Sequence, residues 1–147
     1  MNRELTTLLR EHGIQPSAQR LAVAGYVLTT SDHPSAEQVF SRVKKSLPML
    51  SRATVYNTLN LFTHKGLLRE LVLAEGSVVF DAKVDRHHHF IDDETGRIHD
   101  IPWERLQVDD VEALGDYEVR EYQVVLRGRM SAGRARRKSH ANHSSIR

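Results

Sequence analysis

Residues Ser51 to Gly66 read SRATVYNTLNLFTHKG, one amphipathic run closed at each end by its own chemistry. The Ser51 hydroxyl suits the free N–H groups that open a helix, and Gly66 tolerates the left-handed turn that ends one. Between them Val55, Leu59 and Phe62 recur at helical spacing and form an inward stripe. The opposite side carries Arg52, Tyr56, Asn60 and Thr63, with Asn57 beside them. A cation, a phenol and amides on one helix face suit phosphate oxygens and base edges in a major groove. Tyr56 is the candidate for a base edge or thymine methyl, with Asn57 and Asn60 beside it. Arg52, with Arg20 upstream, is the candidate for phosphate or the minor groove. The competing readings are a solvated helix face and, for Arg20, a structural contact.

The flanks of this helix decide its context. Leu5, Leu8 and Leu9 predict a first helix ending near Gly13, and GIQPSAQR breaks the pattern. A second helix starts at Pro16 and Ser17 and turns Leu21, Ala24, Val27 and Leu28 inward until SDHP stops it. Ser35 and Gln38 have the capping-box form, so a third helix runs to about Leu47 with Val39, Phe40 and Val43 inward, and Pro48 closes it. After Gly66 come LLRELVL, the turn AEGS and VVFD, two β-rich runs around a glycine turn that predict a hairpin. Helices followed by such a hairpin make a winged helix-turn-helix.

The second half is read from Phe80 to Pro102, FDAKVDRHHHFIDDETGRIHDIP. If Asp93 to Gly96 form a turn, Asp92 opposes Arg97, Ile91 opposes Ile98, Phe90 opposes His99, and His89 opposes Asp100. Residues two apart on a strand share a face, and opposed residues have Cβ atoms about 5 Å apart. His87, His89 and Asp100 therefore converge, while His88 and His99 fall on the other face. Asp81, six residues before His87, can reach back to the same spot. Imidazole with carboxylate suits Zn, Mn, Fe, Co or Ni. The competing reading is a polar loop whose histidines bind nothing.

Beyond this hairpin, Trp103, Leu106, Val111 and Leu114 have helical spacing, and Tyr117 to Gly128 alternates as a strand. The expected fold class is thus α+β. It comprises a winged-helix DNA-binding domain over residues 1–82, a small α+β domain for dimerisation and metal binding over 83–128, and a disordered basic tail over 129–147. A domain of such size has little core of its own, which makes a homodimer the expected solution.

Composition agrees with a nucleic-acid binder. Met1 to Arg69 holds nine Lys/Arg against four Asp/Glu, Glu70 to Leu126 five against fifteen, and Arg127 to Arg147 seven against none. A basic first half joined to an acidic second half suggests two differently employed modules. The basic tail adds nonspecific DNA affinity or serves only solubility. With zero cysteines, disulfides and thiolate zinc sites are excluded, so a metal must sit on nitrogen and oxygen. No apolar run approaches the ~20 residues of a membrane span, and MNRELTTLLREHG is amphipathic rather than a signal peptide. The cytoplasm is the expected compartment.

Taken together, GIQPSAQR, HPSAEQVF, SRATVYNTLNLF, GLL and HHHFIDDETGRIHDI resemble the Fur superfamily of metal-dependent bacterial repressors, in family order from about Leu5 to Gly128. The resemblance implies a regulatory metal, Fe²⁺ or Mn²⁺ with Zn²⁺ as a substitute, held by His33, Asp81, His87, His89 and Asp100. His33 enters through the resemblance alone. Asp100, where the iron-sensing branch has Glu, is more similar to the peroxide-sensing PerR branch. That likeness implies oxidation of His33 or His87 by peroxide at bound ferrous iron, with loss of repression. It also implies a two-fold dimer on a pseudo-palindromic, A/T-rich double-stranded DNA operator.

Departures from the family pattern are equally specific. Its two CxxC pairs fall here on Asp92 and Thr95, and near Met130 and Gly133, so no structural cysteine-zinc site exists. A second regulatory site would need a histidine near Tyr122. IHDIP and YEVREYQVVLRGR are also similar to the haem-responsive, Irr-like branch, in which His88 would matter. Outside the family, the rivals are a small His/Asp metallohydrolase, for which no general base, nucleophile or glycine-rich loop is evident, and a winged-helix protein that needs no metal.

Overall fold

The computed structural model describes residues 2–131, and it begins with four helices: α1 (Asn2–Glu11), α2 (Ala18–Val27), α3 (Ala36–Lys44) and α4 (Arg52–His64). Three of them open on a serine cap. Ser17 accepts from the Arg20 N–H, and Ser51 accepts from the Thr54 N–H. The Ser35 hydroxyl accepts from Gln38 N–H at 3.2 Å while the Gln38 side chain accepts from Ser35 N–H at 2.8 Å, a complete capping box. α3 stops at Lys44, three residues short of the expected end, because Leu47 N–H and Ser46 N–H both turn back onto the Val43 carbonyl. Gly66, at φ 86°, ends α4 in the left-handed conformation.

Leu9, Val23, Val27, Val39, Val55, Leu59 and Phe62 are almost fully buried together, with Phe40, Leu68 and Phe80 against them. Burying such side chains contributes about 1.5–3 kcal/mol each, which makes this the centre of stability of the first unit. The hairpin β1 (Arg69–Val72) and β2 (Val78–Asp81) follows, antiparallel, with Leu71 opposite Val79 and Gly76 at φ 93° in the turn.

The chain divides into two units, Met1–Asp85 and Arg86–Arg147. The second contains β3 (His87–Asp92), β4 (Ile98–Pro102) and β5 (Val125–Gly128) in the order β4-β3-β5. The register of β3 on β4 pairs Ile91 with Ile98, Phe90 with His99 and His89 with Asp100, and Asp92 N–H donates to the Arg97 carbonyl, as the turn at 93–96 requires. β5 lies parallel to β3, with His89 beside Val125.

Two expectations are corrected here. The helix from Trp103 to Leu114 is reduced to one 3₁₀ turn, Trp103–Arg105, and the strand expected from Tyr117 forms only at Val125–Gly128. Between them the chain runs through turns, with Asp110 at φ 66°. Asp109, Asp110, Glu112, Asp116, Glu118 and Glu121 crowd this stretch with like charge, and Leu114, Tyr117 and Val119 stay exposed. Spacing alone does not make a helix when no packed surface receives its apolar face. The tail expected over 129–147 lies, from 132 on, outside the described residues. Among the described residues, no helix is long and apolar enough to cross a membrane.

Candidate metal centre and nucleic-acid interface

Two sets of metal-capable donors form, one in each unit. In the first, His33 Nε2 lies 3.3 Å from Asp81 Oδ2, both side chains buried. The backbone explains the meeting. Phe80 N–H donates to the Pro34 carbonyl at 2.9 Å and Ser35 bridges to Val79, so the segment before α3 is laced to β2, the strand that ends at Asp81. His33 adopts φ 55°, a left-handed conformation that costs a side-chain-bearing residue about 1–2 kcal/mol. Asp81 Oδ1 accepts from Lys83 N–H at 2.9 Å, which fixes the carboxylate's other oxygen.

In the second unit, His87 Nε2 and His89 Nε2 lie 3.5 and 3.6 Å from the same oxygen, Oδ1 of Asp100. The two imidazoles meet edge to face, with ring centres 4.6 Å apart. Their side chains are 2% and 4% exposed and that of Asp100 is 30% exposed, so the cluster opens outward through the carboxylate. N–H···O bonds cluster at about 2.9–3.0 Å, and these separations are longer. Two donors each about 2.1 Å from one ion stand about 3.0 Å apart at a right angle and about 3.4 Å apart at a tetrahedral one. The 3.3 Å of His33–Asp81 falls within that range and the 3.5 and 3.6 Å at Asp100 lie just above it, and the donor type suits a divalent cation of the Fe, Mn or Zn class.

His88 points the other way, as strand alternation demands. Its ring stacks on Trp103 at 4.6 Å and 15°, Arg86 lies 4.9 Å from the same indole, and Tyr122 packs beside it. Val124 N–H donates to His88 Nδ1 at 2.9 Å. The neutral ring then carries its proton on Nε2, which is buried and lacks a hydrogen bond among the described residues. Burial is the first cause that pushes the His88 pKa down, with His89 and His87 next, against a weaker influence of the Trp103 backbone. Where the family pattern places its first cysteine pair, at Asp92 and Thr95, the Asp92 carboxylate accepts from Glu94 N–H at 2.9 Å and closes the β3–β4 turn.

On α4, Arg52, Tyr56, Asn57 and Asn60 are all exposed, so the polar face predicted from spacing stands open. Thr63 does not join it, because its hydroxyl is buried. Arg20 is half-buried and its Nη1 donates to the Gln15 carbonyl at 2.8 Å, which ties it to the turn before α2. Two partners escaped the sequence reading: Glu37, which pairs with Arg52, and Trp103, which packs His88. The i, i+3 spacing of Glu37 and Phe40 on α3 marked a shared stripe, but nothing in it pointed to Arg52.

Residues 11–127 match the family described as the Ferric uptake regulator family. Among curated proteins, the peroxide-responsive repressor PerR of Staphylococcus epidermidis is 31% identical over 124 residues, covering 82% of this chain and 81% of that one. PerR of Staphylococcus aureus strain Mu50 is 30% identical over the same length, covering 82% of each. Among solved structures, the Vibrio cholerae ferric uptake regulator aligns with TM-score 0.65 and 21% identity over 85% of this chain and 98% of that one. The Campylobacter jejuni peroxide stress regulator aligns with TM-score 0.63 and 22% identity, covering 88% and 95%. These two structural likenesses bear on the fold.

Proposed function

The chain belongs to the ferric uptake regulator family, whose members are dimeric, DNA-binding transcription regulators and not enzymes, and on that premise we propose that it is a repressor in which His33, Asp81, His87, His89 and Asp100 hold one divalent ion. The observation that carries this reading is the approach of His87 Nε2 and His89 Nε2 to a single Asp100 oxygen at 3.5 and 3.6 Å. The His33–Asp81 pair supports it, since two or three donors are too few for an ion that takes four to six. Only five residues separate Asp81 from His87, so joining the sets needs no long loop.

An all-nitrogen-and-oxygen donor set favours Fe²⁺ or Mn²⁺, with Zn²⁺ able to compete. The signal we propose is peroxide, because the curated relatives at 31% and 30% identity are peroxide-responsive repressors. Ferrous iron, if bound, would activate peroxide at this site without net change of its own oxidation state, the two electrons that reduce peroxide coming overall from the imidazole that is oxidised. The chain's part is to hold the His33 and His87 rings where one of them gains an oxygen atom while water leaves. Loss of that ligand would then weaken the hold of the remaining four residues on the ion.

DNA binding rests in this reading on the open face of α4, with Tyr56, Asn57 and Asn60 toward base edges and Arg52 and Arg20 toward phosphate or the minor groove. A homodimer presents two such faces to a pseudo-palindromic, A/T-rich operator, and half-sites must lie about one helical turn, roughly 34 Å, apart. Ion capture by both units sets that spacing, which makes occupancy and operator affinity reciprocal. The compartment is the cytoplasm, where the DNA is.

The test is a Mn²⁺ titration of the full chain against DNA duplexes selected from a randomised pool, followed by peroxide on the Fe²⁺ form. Mn²⁺ should raise affinity at least tenfold, and His33→Ala should lose that gain while remaining folded. Peroxide should release the DNA and leave one added oxygen atom on the peptide holding His33 or His87. Metal-independent binding by the unaltered chain would end the clamp reading, and release with neither histidine modified would end the peroxide reading.

A further inference from the structure

Arg52, the first residue of α4, is not a loose surface cation. Its Nε donates to Glu37 Oε2 at 2.8 Å and to Oε1 at 3.2 Å, reaching across to α3. Its guanidinium carbon also stands 4.6 Å from the centre of the Phe40 ring, a ring that Lys44 Nζ approaches at 5.1 Å. Glu37, Phe40 and Lys44 are three and four residues apart, so they form one stripe on α3. Phe40 is only 6% exposed and belongs to the buried core, so its ring offers the guanidinium a packed surface.

The pair does little for stability. The two side chains are 65% and 50% exposed, and ion pairs of that kind contribute little. What the contacts fix is direction. With Nε engaged by Glu37 and the guanidinium carbon held 4.6 Å from the Phe40 ring centre, the two Nη groups form no hydrogen bond to any described residue and remain available as a fork. A glutamate beside a DNA-facing helix would by charge alone repel phosphate, so its presence asks for a compensating role.

We propose that Glu37 is a positioning residue that preorganises the Arg52 Nη fork for a paired acceptor on DNA, either the N7 and O6 edge of guanine or two phosphate oxygens. The inference rests on the DNA-binding reading above and adds the group that aims the cation. Holding a long side chain in its bound geometry removes ordering cost from the binding step. The hydrogen bond from Arg52 also holds the Glu37 carboxyl below its ordinary range, so the pair is intact at neutral pH.

Charge and aim predict opposite signs, which makes the test decisive. Operator binding is measured with the full Mn²⁺-loaded chain on a duplex selected from a randomised pool and on an unrelated duplex of equal length. Removing an acid near DNA should tighten binding if only charge matters. If Glu37 aims Arg52, Glu37→Ala weakens binding about tenfold, and Glu37→Gln, which keeps an acceptor, weakens it about threefold. With Arg52→Gln already in place, Glu37→Ala should no longer weaken binding. Loss confined to the selected duplex assigns the fork to guanine, and equal loss on both assigns it to phosphate. Unchanged or tighter binding by both Glu37 variants overturns the inference, as does an equal loss in the Arg52→Gln background. Failure of the unaltered chain to bind either duplex overturns the DNA-binding reading itself, and the inference with it. Helical circular dichroism of each variant separates lost aim from lost fold.

Discussion

His89 and Asp100 are directly opposed on β3 and β4, and His89 Nε2 lies 3.6 Å from Asp100 Oδ1. The pairing places a carboxylate over a buried imidazole without needing a loop, so the geometry is as rigid as the sheet. Asp100→Asn keeps the shape and removes the charge. It should lower Mn²⁺ affinity by at least tenfold to a hundredfold while leaving the urea unfolding midpoint of the metal-free chain close to that of the parent. Isothermal titration calorimetry reads the first quantity, and an undiminished affinity would remove Asp100 from the site.

The left-handed backbone at His33 yields a paired prediction. His33→Gly and His33→Ala both delete the imidazole, and both should lose metal-dependent DNA binding equally. Glycine adopts φ 55° without strain, so the glycine variant should be about 1 kcal/mol more stable than the alanine variant in urea denaturation. Equal stabilities would show that the conformation at residue 33 carries no cost.

His88 should behave as a packing residue. His88→Ala opens a void beside Trp103 and strands the Val124 N–H, two defects that together cost about 2–4 kcal/mol. The emission of Trp103, the chain's only tryptophan, should shift as the stack is lost. Mn²⁺ affinity, measured well below the unfolding temperature, should fall much less than in His89→Ala. A larger fall in His88→Ala would promote His88 to a ligand.

Asp92 gives the pH dependence. The Glu94 N–H is the first cause that holds its carboxyl below the ordinary range, with Thr95 and the charge of His99 adding to it and burial opposing. A depressed folded value means that its stabilisation is fully present above the ordinary carboxylate range and is lost as pH falls through the folded value. Asp92→Asn should therefore be less stable than the parent at pH 7, and the gap should narrow as pH falls below the ordinary carboxylate range in urea titrations. A gap that stays constant with pH would mean that the carboxylate charge is irrelevant to the turn.

How far these features could be read from residues alone differs between the two units. The serine caps, the glycine at 66 and the buried stripe of α4 are local signals, and the helices followed them to within a few residues. The β3–β4 register was equally legible, because a short turn fixes which residues face each other and alternation separates His87 and His89 from His88. What spacing could not supply was non-local. Residues Leu106 to Val124 had the periodicity of a helix and a strand, but whether that periodicity is used depends on a surface to bury it. The link between His33 and Asp81 depends on Pro34 and Ser35 pairing with β2 some 45 residues later, a contact with no local signature. Glu37 was hidden for the same reason, since its role appears only when α3 and α4 are side by side.

From Arg86 onward, the described side chains shielded from solvent are Ile91, His87, His88, His89 and Asp92, so heteroatoms sit where hydrocarbon usually does. Oil-like interiors hold together whatever the solution contains. This one owes part of its cohesion to what its ring nitrogens are bonded to, and a solute that binds the folded form alone raises its melting midpoint by mass action. Calorimetric scans over a series of metal concentrations would thus act as a gauge of occupancy, with sensing and folding drawing on the same atoms.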